Sequence, residues 1–374
     1  MLVEIVSIGD EILSGYTVNT NAAFLSKELA QKGFVISRHT SIGDDLELIR
    51  QTLAEALERA DLVIGTGGLG PTFQDKTFDA IGGLFSQTPE KLKNRLGTAE
   101  GIFFAEQERA LLLLPGAPFE MKEMFLKEGM RRLDERFGKG ELWRFKRVGL
   151  CLLRELEVEP YLKELQKKYP HVDISIYPTL GSLQVVFKSK GAIDQAVRDV
   201  EKRFSSYFFG EGKIEEAVHL EMIAQKKKLG LAESCTGGMI ASRLVQIPGA
   251  SEFLLGSLVV YSNAWKERFL QVSHTTLEEE GAVSKKVVEE MCASLLMETD
   301  ADFALAVSGI AGPSGGTAKK PVGTIYFAIQ ERGKRCDSGK IQAPPDRASA
   351  IELTTQTALG ALWRRLVHNA FTFS

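Results

Sequence analysis

The stretch Asp61-Leu62-Val63-Ile64-Gly65-Thr66-Gly67-Gly68-Leu69-Gly70-Pro71-Thr72 begins as an apolar, β-branched run and then places four glycines within six residues. That pattern reads as a short buried strand running out into a glycine loop. Upstream of it, Leu2–Ile8 reads as a strand, Asn21–Gln31 as a helix, Phe34–His39 as a strand and Leu46–Ala60 as a helix. Downstream, one more helix precedes the apolar run Ala110–Leu114, and a helix extends from Pro118 to about Phe137. Strands alternating with helices imply parallel pairing, right-handed crossovers and helices on both faces of a sheet.

The composition shifts at Phe137-Gly138-Lys139-Gly140, which marks a boundary. From about Trp143 the order is strand, helix (about Glu155–Lys168), strand (Val172–Tyr177), strand (Leu183–Lys188) and helix (Ala192–Ser205). A unit of roughly 65 residues is small for a domain and is expected to lean on a neighbour. The remainder alternates again, with a helix at Glu215–Lys228, strands at Leu229–Ala232, Leu258–Tyr261, Phe303–Val307 and Thr324–Ile329, and helices after Gly238, at Ser284–Glu298 and from Arg347 to about His368. The expected fold class is α/β: two α/β domains with mainly parallel sheets, residues 1–140 and 212–374, joined by a small α+β unit at 141–211.

The chain has 374 residues, 44% of them hydrophobic and 25% charged, which excludes disordered, collagen-like and coiled-coil classes. Its 46 Lys and Arg against 49 Asp and Glu leave a net charge of −3 and no basic footprint for nucleic acid. Four scattered cysteines make neither a disulfide framework nor a zinc cage and fit the reduced cytoplasm. No apolar run approaches the ~20 residues needed to span a bilayer. Met1–Ile8 carries Glu4 and lacks a basic leader, so it reads as a strand and not a signal peptide.

Ligands of open parallel sheets bind at the carboxyl ends of strands. Glu233-Ser234-Cys235-Thr236-Gly237-Gly238 sits there, between a strand and a helix start whose free N–H groups and dipole favour negative charge. It reads either as an N-cap cluster in a tight turn or as a catalytic loop. Ser308-Gly309-Ile310-Ala311-Gly312-Pro313-Ser314-Gly315-Gly316-Thr317 follows an apolar strand and suits a phosphate held by main-chain donors, or a plain surface loop. The lysine and hydroxyl of a P-loop are missing. Lys266, after Tyr261-Ser262-Asn263, is a solvated helix lysine or else a desolvated base facing a serine. The five histidines show no metal-binding spacing. In the N-terminal third, Gly9-Asp10-Glu11, Asn21, the glycine loop and Asp75 are turn and capping residues or a site for a divalent cation with a phosphate.

At these residues the chain resembles the competence/damage-inducible protein A (CinA) family over nearly its whole length. Ala232–Gly238, Gly256–Asn263 with Lys266, and Gly309–Gly316 with Pro321-Val322-Gly323-Thr324 match the family's carboxyl-terminal domain. The resemblance implies a deamidase that converts nicotinamide mononucleotide (NMN) to nicotinic acid mononucleotide and ammonia. Gly9-Asp10-Glu11, Gly67–Thr72 and Leu114-Pro115-Gly116-Ala117-Pro118 are similar to the family's molybdopterin-binding-type domain, and the middle unit to its KH-like domain. In some members the N-terminal domain is associated with a metal-dependent ADP-ribose pyrophosphatase. Where the family reads two consecutive aspartates, this chain has Gln74-Asp75. Only about twenty residues separate Thr77 from Gly97-Thr98-Ala99, where the family inserts a long helical segment. Ile351 stands where a second arginine would follow Arg347.

The resemblance implies Ser234 as nucleophile and Lys266 as base, with Cys235 the competing nucleophile. Tyr261, Ser251, Thr236 and Ser308 are candidates to hold the lysine, relay protons or position the carboxamide. The N–H groups after Gly237 are expected in the oxyanion hole with Gly238, and Gly309, Gly312, Gly315, Gly316 and Arg347 around the phosphate. In the N-terminal domain, Gly9, Asn21, Gly67, Gly68, Gly70, Thr72, Thr77 and Gly116 are the expected ligand-binding residues, and Asp10, Glu11 and Asp75 the metal ligands. No cofactor is expected for the C-terminal domain, and Mg²⁺ or a similar ion for the N-terminal one. The expected partner is a small nucleotide, with neither nucleic acid nor membrane, in a cytoplasmic homodimer. The rival readings are the pyrophosphatase and a non-catalytic nucleotide- or pterin-binding module.

Overall fold

The computed structural model describes residues 1–70, 76–82, 84–86, 88–138 and 143–371. Its chain divides into two compact units, Met1–Phe145 with Lys188–Ala192, and Lys146–Phe187 with Ile193–Ser374.

The N-terminal unit is built on β1 (Leu2–Ile8), β2 (Val35–Ile42), β3 (Leu62–Thr66), β4 (Glu90–Leu92), β5 (Gly101–Glu106) and β6 (Arg109–Leu114). Their spatial order is β2-β1-β3-β6-β5-β4. The first four are parallel, and β5 and β4 add an antiparallel edge. Helices Thr20–Gln31 and Leu46–Arg59 join the parallel strands, and each is capped at its start by an Asn19 or Asp45 carbonyl or carboxylate oxygen. β4 and β5 replace the expected helix ahead of the Ala110–Leu114 run. The residues 77–80 make only a single helical turn, and Glu90–Leu92 is too short and too polar to announce a strand. Glu4, the charge inside β1, is fully buried; Arg59 donates to both of its oxygens at 2.8 and 3.0 Å, and Thr40 at 2.7 Å. Burial pushes this carboxyl up, yet the Arg59 and Thr40 bonds outweigh it and hold the group below its usual range.

The second unit holds two sheets. Strands β7 (Arg144–Cys151), β8 (Asp173–Thr179), β9 (Ser182–Ser189) and β10 (Phe208–Gly210) lie in the order β10-β7-β9-β8, although the ends of β7 and β9 belong to the first unit. Strands β11 (Leu229–Glu233), β12 (Leu254–Val259), β13 (Phe303–Gly309), β14 (Thr324–Glu331) and β15 (Asp337–Gln342) lie in the order β12-β11-β13-β14-β15. The segment 141–211 is therefore divided, and most of it groups with the C-terminal residues. The four-stranded sheet buries a core of its own, with Val148, Val158, Leu162, Val185, Phe187 and Val197, and its Cys151 and Phe209 join the core of the C-terminal residues. Phe209 meets Trp363 edge-on at 6.4 Å, and Cys151 lies against Gly360 of the long helix Arg347–His368.

β12, β11 and β13 are parallel, which carries their carboxyl ends to one side. β14 and β15 run antiparallel because a glycine loop, not a helix, joins β13 to β14. Among the described residues no helix is long and apolar enough to cross a membrane.

Candidate active site at the carboxyl end of the central strands

All five residues of β11 are buried, and the chain leaves the sheet at Ser234, whose N–H donates to Val307 O at 3.2 Å. Gly237 (φ 62°) and Gly238 (φ 96°) then take left-handed conformations that turn it into the helix Met239–Val245. Side chains alternate across a strand, so consecutive residues at its end face different surroundings. Glu233, Ser234 and Cys235 accordingly go three ways.

Ser234 faces Lys266. The helix Asn263–Leu270 starts at Ser262, whose hydroxyl accepts the Trp265 N–H, and its fourth residue, Lys266, turns inward. Only 1% of Lys266 is exposed. Its Nζ donates to Ser234 Oγ at 3.0 Å, to Val260 O at 2.9 Å and to Tyr261 O at 3.2 Å. All three partners are uncharged. Burial pushes the ammonium pKa down to about 8, against a small opposing effect of Cys235. A neutral amine keeps two N–H bonds for the two carbonyls and turns its lone pair to the serine hydroxyl, which is the geometry of a base awaiting a proton.

Cys235 points into an apolar cluster with Ala311, Ile325, Ala343 and Ala350. Burial pushes its thiol up to about 12, so it holds its proton and does not act as a thiolate. Ile351 packs against the same cluster, which accounts for an aliphatic side chain one turn after Arg347.

Glu233 carries no exposed surface and accepts five hydrogen bonds. Oε2 takes Thr236 Oγ1 at 2.8 Å, Gly238 N at 3.0 Å and Ile240 N at 3.1 Å; Oε1 takes Ala241 N and Ser257 Oγ, both at 3.0 Å. This changes the expected oxyanion hole. The N–H groups after Gly237 are occupied, since Met239 N also donates to Thr236 O. Thr236 Oγ1 spends its one donor on Glu233. Glu233 itself escaped sequence reasoning because a lone carboxylate at a strand end carries no linear sign of the N–H groups it will accept.

Arg347 donates to Tyr261 Oη at 2.6 Å and to Gly312 O at 3.2 Å, joining three expected site residues. Tyr261 is 58% exposed, while its carbonyl holds Lys266. Gly312 (φ 86°) has no room for a Cβ against Pro345 and Val322. Gly315 (φ 91°) and Gly316 continue the loop, which Lys320 ties to the Glu280 and Val283 carbonyls. Gly309 faces Cys235 and Ile325. Ser308 is buried and donates to Ala282 O at 2.7 Å, and it follows Val307, which pairs with Glu233 in parallel register, so it stands beside Ser234 on the neighbouring strand. Ser251 is not brought to the site. It precedes β12 at the amino end, where Leu254 pairs with Leu229, roughly 16 Å of strand away from Ser234.

In the N-terminal unit a cavity of about 380 Å³ is lined by Gly9, Glu11, Asp44, Gly67, Gly68, Gly70, Gly116 and Glu120 among others. Asn21 Nδ2 donates to Gly116 O at 2.8 Å and Thr77 Oγ1 to Gly67 O at 3.0 Å, so both shape the walls. A Cβ on Gly67 would strike the Ile8 carbonyl, and one on Gly68 would strike Thr77. Asp10 engages the 43–45 turn, where its N–H donates to Asp44 Oδ2 at 3.1 Å. Thr72 and Asp75 lie outside the described residues. Among the described residues no three His, Cys, Asp or Glu side chains converge, and Asp75, the third expected ligand, lies outside them.

Two family models match in the order of these sites: "Probable molybdopterin binding domain" over residues 4–135 and "CinA C-terminal domain" over residues 211–366. A CinA-like protein of Dictyoglomus thermophilum is 34% identical over 413 aligned residues, covering 98% of this chain and 100% of that one. A CinA-like protein of Citrifermentans bemidjiense is 33% identical, covering 98% of each chain. Among solved structures, a competence-damaged protein (CinA) superfamily protein from Klebsiella pneumoniae is 34% identical with a TM-score of 0.40, covering 41% of this chain and 96% of that one. With relatives a third identical from one end to the other, and both domain models in the same sequence order, the chain belongs to the CinA family.

Proposed function

We propose that the C-terminal domain is an amidohydrolase that converts NMN to nicotinic acid mononucleotide and ammonia. The observation that carries this reading is a buried lysine whose hydrogen-bond partners among the described residues are all uncharged, one of them a serine hydroxyl 3.0 Å away at a strand's carboxyl end. Ser234 Oγ attacks the carboxamide carbon while its proton passes to Lys266 Nζ. The protonated lysine then gives that proton to the departing nitrogen, the C–N bond breaks, and ammonia leaves an acyl ester on Ser234. Lys266 next takes a proton from water, whose oxygen attacks the ester; the acid product departs and Ser234 regains its proton. No metal enters these steps. Ammonia release from NMN that is unchanged by EDTA tests the reading, and absence of release overturns it.

Arg347 and the Gly312–Gly316 loop are the proposed phosphate site, since a guanidinium and main-chain donors suit a phosphate. Replacing Arg347 by Gln is expected to raise KM for NMN about 10- to 100-fold with kcat within about threefold, as loss of a contact equal in ground and transition states would do. Initial rates across NMN concentrations check this, and an unchanged KM removes Arg347 from the site.

For the N-terminal unit we infer ligand binding without turnover. The glycine-walled cavity favours it, and Gln74 in place of an aspartate together with the short segment after Thr77 weighs against the pyrophosphatase. ADP-ribose at 100 times its Kd should stabilise the protein by about 2.7 kcal/mol, seen as a raised melting temperature, without cleavage in Mg²⁺. Mg²⁺-dependent release of AMP would decide for the pyrophosphatase instead.

A further inference from the structure

Ser234, Cys235 and Thr236 sit in a loop whose main-chain donors are nearly all spoken for. The Ser234 N–H goes to Val307 O, Gly237 N–H to Ser234 O and Met239 N–H to Thr236 O. Gly238, Ile240 and Ala241 give theirs to Glu233. Among the described residues this leaves the amides of Cys235 and Thr236 without a main-chain or carboxylate acceptor. They are the two that follow the serine. An acyl-transfer site needs such free donors close to its nucleophile, because the carbonyl oxygen gains charge as the tetrahedral intermediate forms. The amide of the residue after a nucleophile is a recurrent source.

We propose that Glu233 is a positioning residue for the amidase reaction, holding the loop so that the Cys235 and Thr236 amides form the oxyanion hole beside Ser234. The inference rests on the serine–lysine reading. The Glu233 carboxylate clamps the loop from both ends: Oε2 holds Thr236 and the start of the following helix, and Oε1 holds Ala241 and Ser257 of the edge strand β12. Five donors on one buried side chain fix the turn through Gly237 and Gly238, and the fixed turn fixes where the two free amides lie. Thr236 is joined to this clamp directly, through its hydroxyl. A glutamine at 233 can accept with one oxygen only, and its NH₂ would oppose the donors now served by the other.

The test separates this role from plain support and from the choice of substrate. A fluorophosphonate phosphonylates Ser234 directly: Oγ bonds to phosphorus, fluoride leaves and the proton passes to Lys266. Its phosphonyl oxygen draws on the same donors and needs no NMN recognition. Glu233→Gln is expected to slow this labelling about 100-fold and to lower kcat for NMN similarly with KM within threefold. NMN affinity, measured with Ser234→Ala and with the double variant Glu233→Gln/Ser234→Ala, should agree within threefold. Labelling at the wild-type rate overturns the proposal, and so does an NMN affinity that falls in step with kcat. Should Glu233→Gln fail to fold, Ser257→Ala removes one of the five donors and should slow labelling about threefold or more; an unchanged rate is equally fatal. A wild-type protein that labels at Ser234 but leaves NMN intact would refute the substrate reading while leaving the Glu233 role open to the same labelling test.

Discussion

Ser234→Ala is expected to lower NMN deamidation by about 10⁴-fold or more, whereas Cys235→Ala leaves it within about threefold. The two side chains are neighbours in sequence, and both are chemically capable nucleophiles. Their surroundings separate them. The serine oxygen lies 3.0 Å from an amine whose pKa is pushed down to about 8, so a base is in place at neutral to mildly alkaline pH. The thiol lies among alanines and Ile325, and burial drives its pKa up to about 12. Truncating it removes one sulfur from a small apolar cluster and should cost about 1 kcal/mol of stability with no loss of chemistry. Ammonia release from the two purified variants decides the matter. Near-wild-type turnover by Ser234→Ala would end the serine assignment and return the thiol to contention.

Much of this architecture was legible in the chain because strong periodicity and glycine punctuation agree. The helix Arg347–His368 is legible at both ends, since Asp346 caps it and Asn369 takes the left-handed conformation that closes it, although its buried face carries Thr354, Thr355, Thr357 and Arg364 among the apolar residues. The β11 loop was recognisable from a strand running into Gly237-Gly238. Edge strands were harder. Glu90–Leu92 is three residues long, and Asp337–Gln342 is mostly polar or half-exposed, so neither shows the apolar run that marks a buried strand. The site divided in the same way. Ser234, Lys266, Tyr261 and Arg347 announce themselves as reactive or charged residues at strand and helix ends. Which hydroxyls meet the dyad depends on register, and parallel pairing of β12 with β11 sends Ser251 to the far end. Which amides remain free depends on the Glu233 carboxylate, and no linear pattern records that a side chain consumes three N–H groups downstream of it.

The second large effect concerns Lys266 and pH. If its neutral form is the base, kcat/KM for NMN should rise with pH around a midpoint of about 8 and then level off. Lys266→Arg should lose activity by about 10⁴-fold at every pH, because a guanidinium stays charged. Stability should move with the same proton. In the unfolded chain the amine titrates at its ordinary 10.5, and in the folded protein at about 8. Below pH 8 both states are protonated, so the native state bears the whole cost of a buried ammonium. Between about 8 and 10.5 the unfolded state binds the extra proton, and linkage makes the protein more stable by about 1.4 kcal/mol per pH unit, roughly 3 kcal/mol in all. Other groups titrate in this range too, but they cancel when wild type is compared with Lys266→Met. That variant lacks the charge and also leaves Ser234, Val260 and Tyr261 without their common donor, which sets its stability offset but gives it no matching pH slope. The wild-type advantage over Lys266→Met in urea unfolding should therefore grow by about 3 kcal/mol from pH 7 to 10.5. A difference that stays flat across that range would mean that the amine titrates normally when folded, and a lysine charged at pH 8 could not take the proton of Ser234.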